Sequence, residues 1–279
     1  MAPTNYNYDY FNVSFPAEYV AYVEINRPEK LNAFIEVMWI NLGKIINGLS
    51  HDPDVRAIVL CSAGDKAFTA GLDVQAASEG MLKRDGNDAA RIANTIRRHI
   101  LEFQDCITTL EKCEKPIITL LHGYSFGLAI DMSVSTDIRL CVGDTRFSVK
   151  EVDIGLAADI GTLTRLPKAV GNYSWVKDVC LTARVFGADE ALRVGFVSGV
   201  YPSKDEGMKA AIELAKLIAS KSPVATMGTK EILNFSRDRP VEDGLRYTAI
   251  WNGAMVQTQD VKDAVLSGLQ RRKPTFSKL

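Results

Sequence analysis

The sequence has few of the residues from which metal sites and disulfide frameworks are built. Its three histidines, His51, His99 and His122, show no ligand-like spacing, which argues against a structural zinc site. Its five cysteines form no C-x-x-C pair and mostly lie in apolar runs, so we expect free, buried thiols. We therefore predict neither a metal site nor a disulfide framework.

Long apolar runs and an excess of charge are also missing. No run approaches the about 18 apolar residues that a membrane span needs. A formal net charge of −1 gives no general attraction to nucleic acid or to an anionic membrane. The N-terminal segment has no basic start and no apolar centre, and it carries Asp9 but no Arg, so we expect neither a secretory signal nor a mitochondrial presequence.

What remains is a chain of ordinary composition, with 279 residues that are 47% hydrophobic and 24% charged, enough for one large α/β domain with a small appendage. Hydrophobic patterning predicts mixed strands and helices up to about residue 200, then only helices. We divide the chain into a core (1–200), a helical region (201–270) and a tail (271–279). The predicted strands are 11–15, 20–25, 56–61, 116–121 and 196–200, and the predicted helices are 34–49, 89–110, 128–134, 173–181, 188–193, 204–221, 223–235, 241–255 and 261–269. Residues 163–171 are predicted to contain a turn at Arg165-Leu166-Pro167.

The most informative stretch lies between residues 115 and 162. An apolar run of strand length (116–121) is followed by Gly123, Gly127 and an apolar-periodic segment, which predicts strand, tight turn and helix. A helix that begins at Gly127–Leu128 has first N–H groups without intrahelical partners, and these can bind an oxygen that is or becomes negative. Asp131 follows Leu128 by three residues and should lie on the same helix face.

Three acidic side chains accompany this turn: Asp131, Glu151 and Asp159. The last two flank the apolar segment VDIGLAA, which we interpret as a partly buried loop. Carboxyl groups in apolar surroundings have raised pKa values and exchange protons near neutral pH. Each acid alone also has an ordinary interpretation, Asp131 as a solvated helix residue and Asp159 as a helix N-cap before Thr162. The three together favour an acid–base site.

A second motif overlaps the same turn. The segment from Gly123 to Gly127 fits G-x-S-x-G after a strand and before a helix, which is the context of a serine hydrolase nucleophile. That mechanism requires a histidine after the serine in the chain, and all three histidines precede Ser125. We reject the triad and interpret His122 as a packing or hydrogen-bonding residue at the end of a strand.

Together with Phe68-Thr69-Ala70-Gly71-Leu72-Asp73 upstream, the central stretch resembles the crotonase (enoyl-CoA hydratase/isomerase) superfamily. Residues 149–162 are very similar to its Δ3,5-Δ2,4-dienoyl-CoA isomerase branch, mainly because Asp131, Glu151 and Asp159 occur together. The resemblance extends from Asn26-Arg27-Pro28 to the C-terminal helices. It implies an α/β fold, a crotonase-like spiral of ββα units, whose C-terminal helical region builds homo-oligomers, as trimers or dimers of trimers.

The resemblance also implies an acyl-CoA substrate and proton transfer between its C2 and C6 atoms. No separate cofactor is expected, since coenzyme A is part of the substrate. The implied catalytic residues are Asp131, Glu151 and Asp159, with Asp159 preferred as the C2 base and Glu151 as the C6 acid, although the sequence leaves their order open. The backbone N–H groups of Leu72 and Leu128 are the implied oxyanion donors. The positions implied to contact substrate are Ala33, Ala70, Gly71, Leu72, Asp73, Gly127 and Ala129.

One departure and several alternatives accompany this assignment. Many superfamily members have Gly where this chain has Leu128 and Ala129, so we expect Leu128 to reshape the acyl pocket. A 2-enoyl-CoA hydratase would use the acids at 131 and 151 to activate water, but Asp159 argues against it. A Δ3-Δ2-enoyl-CoA isomerase is a further alternative. A non-catalytic CoA-ester-binding or RNA-binding relative is the alternative from another class, although acids dilute the basic face of the helix predicted at 89–110.

The last three residues, Ser277-Lys278-Leu279, match the tripeptide address of peroxisomal proteins. We therefore expect a peroxisomal import receptor as a partner and the peroxisomal matrix as the location. We expect no nucleic-acid partner and no membrane span.

Overall fold

The structure is a computed structural model that describes residues 6–73, 75 and 88–279. Two sheets form its frame in this part of the chain. The larger has the order β1-β2-β3-β5-β7-β10 and is parallel except for the β1–β2 pair, and the smaller has the order β4-β6-β8-β9 and is parallel except for β8–β9. The strands are β1 (Phe11–Ala17), β2 (Val20–Ile25), β3 (Ala57–Ser62), β4 (Ala67–Thr69), β5 (Ile117–Leu121), β6 (Tyr124–Phe126), β7 (Ile138–Val142), β8 (Arg146–Ser148), β9 (Phe186–Gly187) and β10 (Gly199–Tyr201).

The described helices follow the predicted pattern closely. They are α1 (Glu36–His51), α2 (Ala89–Lys112), α3 (Leu128–Val134), α4 (Thr162–Ala169), α5 (Tyr173–Thr182), α6 (Ala188–Arg193), α7 (Lys204–Ala219), α8 (Pro223–Arg237), α9 (Val241–Met255) and α10 (Gln259–Leu269). The bounds predicted for α3 and α6 are confirmed. The strand predicted at 196–200 lies later, at Gly199–Tyr201.

The turn predicted at Arg165-Leu166-Pro167 is wrong, because these residues lie inside α4. A proline in a helix removes one hydrogen bond, which normally disfavours the helix. Here tertiary contacts oppose that cost. Leu166 is buried in the core, and Arg165 donates to Glu111 Oε2 from both Nε and Nη2, at 3.0 and 2.9 Å.

The chain passes from the larger sheet to the smaller one three times. Strands β3, β5 and β7 of the larger sheet are followed by β4, β6 and β8 of the smaller sheet, and a helix follows each pair. This is the expected succession of ββα units. Gly123 makes the second passage possible, because its φ of 53° and a carbonyl oxygen of Lys66 only 2.1 Å from where a Cβ would lie exclude a side chain.

The smaller sheet determines where the chain segments meet. Its parallel register pairs Thr69 with Ser125 and Phe126 with Ser148. Because β4, β6 and β8 run in the same direction, the residues that follow each of them emerge at one edge. Residues 70–73, 127–128 and 149–151 therefore lie side by side.

The C-terminal part consists of helices α7 to α10 and an extended tail. Helix α7 packs Ala211, Ala215 and Ala219 over the larger sheet, whereas α8 to α10 carry exposed apolar side chains such as Leu233, Leu245 and Leu269. None of the helices in the described part of the chain combines the length and apolar character needed to cross a membrane.

The tail folds back onto the body of the protein. Arg56 Nη2 donates to the carbonyl oxygens of Phe276 and Ser277, at 2.8 and 3.1 Å, and Lys278 forms an ion pair with Asp54. Arg56 itself is buried against the ring of Tyr19. The tail is thus anchored through its backbone next to β3.

Candidate active site

The first wall of the site is the segment after β4. Phe34 N donates to Gly71 O at 2.8 Å, and Asp73 N donates to Phe34 O at 2.9 Å. In extended backbone, successive residues direct their polar groups to opposite sides. The N–H of Leu72 therefore points away from Phe34, toward the second wall.

The second wall is the turn from β6 into α3. Gly127 has φ 53° and ψ −112°, a conformation that favours glycine, and it is the N-cap of α3. A Cβ on Gly71 would lie 3.3 Å from Phe126 O and 3.9 Å from Leu128 N, so the two walls are in contact. The N–H groups of Leu72 and Leu128 take part in no backbone hydrogen bond between described residues.

Asp131 projects from α3 and is almost fully buried, with 2% of its surface exposed. Its Oδ1 accepts hydrogen bonds from the backbone N and from Oγ1 of Thr162, both at 2.7 Å. Asp131 thus occupies the N-terminus of α4, whose N-cap Gly161 has no side chain to offer. Burial raises the pKa of Asp131 to about 6, and the two hydrogen bonds from Thr162 oppose that rise.

Glu151 begins the short 3₁₀ helix Glu151–Ile154 that follows β8. Its Oε1 lies 3.2 Å from where a Cβ on Gly127 would be, directly beside the turn that carries the Leu128 N–H. Its Oε2 is buried and has no hydrogen-bond partner among the described residues. Burial, followed by the charge of Asp131, raises the pKa of Glu151 to about 7.

Asp159 lies in the loop before α4 and is partly buried. Its backbone oxygen accepts a hydrogen bond from Gln104 Nε2 of α2. Burial raises the pKa of Asp159, and its charge in turn raises the pKa values of both Asp131 and Glu151. The three acids therefore lie close enough for their charges to interact, with Glu151 beside the turn that carries Leu128. The interpretation of Asp159 as N-cap of a helix is wrong, because Gly161 caps α4.

A separate cluster of contacts joins the segments expected to meet coenzyme A. Arg27 Nη1 donates to Ala33 O at 2.7 Å and pairs with Asp73 Oδ2 at 2.9 Å. Asn32 is buried, and its side-chain amide donates to the carbonyl oxygens of Ala63 and Ala67, both at 2.9 Å. The loops after β2 and β4 are thus joined by hydrogen bonds and an ion pair.

The structure brings together most of the predicted substrate positions, with one exception. Ala33, Ala70, Gly71, Leu72, Asp73 and Gly127 lie on or between the joined loops. Leu72 is 36% exposed at the cleft, whereas Leu128 is buried. Ala129 has no exposed surface and packs in the core, so it does not reach the surface of the cleft.

Ser125 of the rejected hydrolase motif and the preceding His122 have structural roles. Ser125 is buried, and its hydroxyl lies 3.4 Å from His122 O. His122 is buried with Nε2 2.9 Å from Gly64 O, and burial lowers its pKa to about 4. His122 therefore packs and hydrogen bonds at the end of β5, as predicted.

Sequence reasoning missed Thr162, Gln104 and Arg27 as supports of the site. The only available signal for Thr162 was its position three residues after Asp159 in a Gly-containing segment. Among the described residues, no group of three histidine, cysteine or acidic side chains is arranged to hold a metal ion. The arrangement can stabilise a developing oxyanion and move protons between carboxyl groups.

Comparisons with known proteins agree with the family resemblance noted in the sequence. The family described as enoyl-CoA hydratase/isomerase matches residues 17–278. The rat (Rattus norvegicus) protein named Delta(3,5)-Delta(2,4)-dienoyl-CoA isomerase, mitochondrial, is 44% identical over 99% of this chain and 85% of its own length. The Arabidopsis thaliana protein named Delta(3,5)-Delta(2,4)-dienoyl-CoA isomerase, peroxisomal, is 42% identical over 93% of each chain. A crystal structure of enoyl-CoA hydratase from Bacillus anthracis superposes with a TM-score of 0.86 at 23% identity, covering 96% of this chain and 99% of that one, which shows the fold.

Proposed function

Because this chain belongs to the enoyl-CoA hydratase/isomerase family, we propose that it converts 3,5-dienoyl-CoA into 2,4-dienoyl-CoA in fatty-acid β-oxidation. The observation that carries the proposal is that Asp131, Glu151 and Asp159 have raised pKa values and interact through their charges. Glu151 also lies beside the turn whose Leu128 N–H takes part in no backbone hydrogen bond between described residues. The relatives named as dienoyl-CoA isomerases, at 44% and 42% identity, support the same reaction.

The first step is removal of a proton from C2 of the substrate. We assign this to Asp159, because it is partly exposed and the charge of His99 opposes the rise of its pKa. The electron pair left on C2 spreads through the thioester carbonyl and along the conjugated carbons to C6. The N–H groups of Leu72 and Leu128 donate to the thioester oxygen, and each such donor typically contributes about 3 kcal/mol to lowering the barrier.

The second step returns a proton at C6. We assign it to Glu151, whose raised pKa of about 7 leaves about half of it protonated at neutral pH. After transfer, Asp159 holds a proton and Glu151 does not, so a proton must pass between them before the next turnover. The substrate gains and loses one proton, no electrons leave it, and the product is an isomer.

Ultraviolet absorbance tests the proposal. Conversion of a 3,5-dienoyl-CoA extends conjugation to the thioester carbonyl, so we expect absorbance to grow at longer wavelength. We expect a 2-enoyl-CoA, offered under the same conditions, to be hydrated far more slowly. Faster hydration than isomerisation would instead assign the chain to the hydratases, and no reaction with either thioester would favour a non-catalytic role.

We also propose that the protein acts as a trimer or a dimer of trimers. Helices α8, α9 and α10 carry several large apolar side chains that are exposed, and this supports the proposal. Extended apolar surface of this kind is unusual for a monomer. Acyl-CoA is the only partner required for the chemistry, and no contact with nucleic acid is needed.

For its location we propose the peroxisomal matrix, reached by an import receptor that binds Ser277, Lys278 and Leu279. The Arabidopsis relative is named peroxisomal and supports this, whereas the rat relative is named mitochondrial. A fluorescent protein fused to the N-terminus should give punctate peroxisomal signal, and deletion of Leu279 should make it diffuse. A mitochondrial signal, or an unchanged pattern after deletion, would contradict the proposal.

A further inference from the structure

The carboxyl groups of Asp131 and Glu151 are neighbours with opposite hydrogen-bonding surroundings. Asp131 Oδ1 receives two hydrogen bonds of 2.7 Å from Thr162, one from its backbone N–H and one from its hydroxyl. Both donors lie at the N-terminus of α4, where the aligned peptide dipoles favour negative charge. Donors of this kind stabilise the ionised form of a carboxyl group.

Glu151 has less support, since only its own backbone N–H favours its ionised form. Its Oε2 is buried with no hydrogen-bond partner among the described residues. A buried carboxylate oxygen without a donor is costly, and a protonated carboxyl group in the same place costs much less. Two adjacent acids in a buried cleft do not both ionise readily, so the one with donors ionises first and the other retains its proton.

We infer that Thr162 is a positioning residue that keeps Asp131 ionised and thereby leaves the transferable proton on Glu151. This inference rests on the proposed function and deepens it. Thr162 touches neither substrate nor reacting atoms in this mechanism. Its hydroxyl and backbone N–H determine which of two neighbouring acids can deliver a proton to C6.

Other charged and titratable groups also lie around Asp131. Asp159, in the segment before α4, opposes the ionisation of Asp131. The charge of Asp131 in turn raises the pKa of Glu151, in the segment after β8. Arg165 of α4 favours its ionisation, but this guanidinium is committed to Glu111, which also pairs with Arg237. Cys180 of α5 faces both acids with a raised pKa, so its thiol stays neutral, and His99 of α2 acts on Asp159. Thr162 provides the only direct hydrogen bonds to Asp131 among the described side chains and backbone groups outside its own helix.

The test compares Thr162→Val, which has the same shape without the hydroxyl, with Thr162→Ser, which retains it. In the valine variant Asp131 binds its proton more tightly, so the acidic limb of the kcat/KM profile should move to higher pH by about one unit, the size expected for loss of one hydrogen bond to a charged group. The serine variant should keep the wild-type profile. An equal loss of activity in both variants, with no movement of the limb, would assign Thr162 a purely structural role.

A second readout does not depend on catalysis. Infrared difference spectra of the carboxyl C=O stretch, recorded against pH, report protonated acids directly, and Asp131→Asn identifies the band of Asp131. We expect that band to titrate at higher pH in Thr162→Val, or in Thr162→Ala if the valine variant does not fold. An unchanged titration would overturn the inference, whether or not the wild-type protein isomerises dienoyl-CoA. Failure of the absorbance assay alone would overturn only the proposed function.

Discussion

Replacement of Glu151 by Gln should lower kcat for dienoyl-CoA isomerisation by about 10²–10⁴, because the amide keeps the shape of the side chain but cannot deliver a proton. KM should change little, since Glu151 contributes a proton rather than binding surface. Steady-state kinetics at neutral pH, with the rise in ultraviolet absorbance as signal, measures both quantities. An amide variant with near wild-type kcat would remove Glu151 from the mechanism.

The same substitution should stabilise the folded protein at neutral and higher pH. The pKa of Glu151 rises from an ordinary 4.5 to about 7, so the folded state binds this proton more tightly than the unfolded chain. Wild-type stability therefore falls as pH rises from about 4.5 to 7, by at most about 3 kcal/mol from this group. Gln removes that loss, so thermal unfolding should shift upward by several degrees at pH about 8 and hardly at pH about 4.

A nearby carboxyl group provides the control for both effects. Asp153 lies on the same 3₁₀ helix, is exposed and pairs with Lys150 at 2.8 Å. Asp153→Asn makes the same change from carboxyl to amide on the same element, at an exposed position. It should leave kcat and the pH dependence of stability unchanged, so equal losses in both variants would indicate a disturbed helix rather than a lost proton donor.

Replacement of Gly127 by Ala should lower kcat/KM by about 10²–10³, the cost typical of a lost oxyanion donor. The new methyl group would lie 3.2 Å from Glu151 Oε1, and a φ of 53° with a ψ of −112° is unfavourable for an L-residue. A change of the backbone at residue 127 would move the Leu128 N–H away from its position. A shift that relieves the contact would move the Glu151 carboxyl group instead. The measurement is kcat/KM together with affinity for a non-reactive acyl-CoA.

Gly155→Ala separates backbone strain from this local contact. Gly155 also has a positive φ, 76°, but nothing lies within 4 Å of its Cβ position. We expect a loss of stability of about 1 kcal/mol and near wild-type kcat/KM. If both alanine variants lost activity equally, the proximity of Gly127 to Glu151 would not be the cause.

Local sequence was sufficient for much of the fold and for one part of the site. The strand, glycine turn and helix from residue 116 to 134 were predictable because their apolar period changes at Gly123 and Gly127. The three acids were selected by resemblance and by their apolar surroundings, and burial raises the pKa of each of them in the structure.

The remaining parts depend on contacts that local patterns do not contain. Strands β6 and β8 have three residues each, too few for a period of two to be recognised, yet they align the loops of the cleft. Pro167 disfavours a helix at residues 162–169 by local rules. The burial of Leu166 and the ion pair of Arg165 with Glu111 oppose that cost, and neither contact is visible in the local sequence. Thr162 lies 31 residues from Asp131 in the chain, so no spacing rule connects them.

The anchored tail has a thermodynamic consequence for transport. Arg56 binds the backbone of Phe276 and Ser277, and Asp54 binds Lys278. Two residues of the C-terminal tripeptide are therefore already in contact with the rest of the protein. A receptor that encloses these residues must first break those contacts, and its apparent affinity is reduced by the fraction of time the tail is bound. For the import that we propose, tail docking and receptor binding would be linked equilibria: what stabilises the docked tail would weaken its capture, and capture would weaken docking.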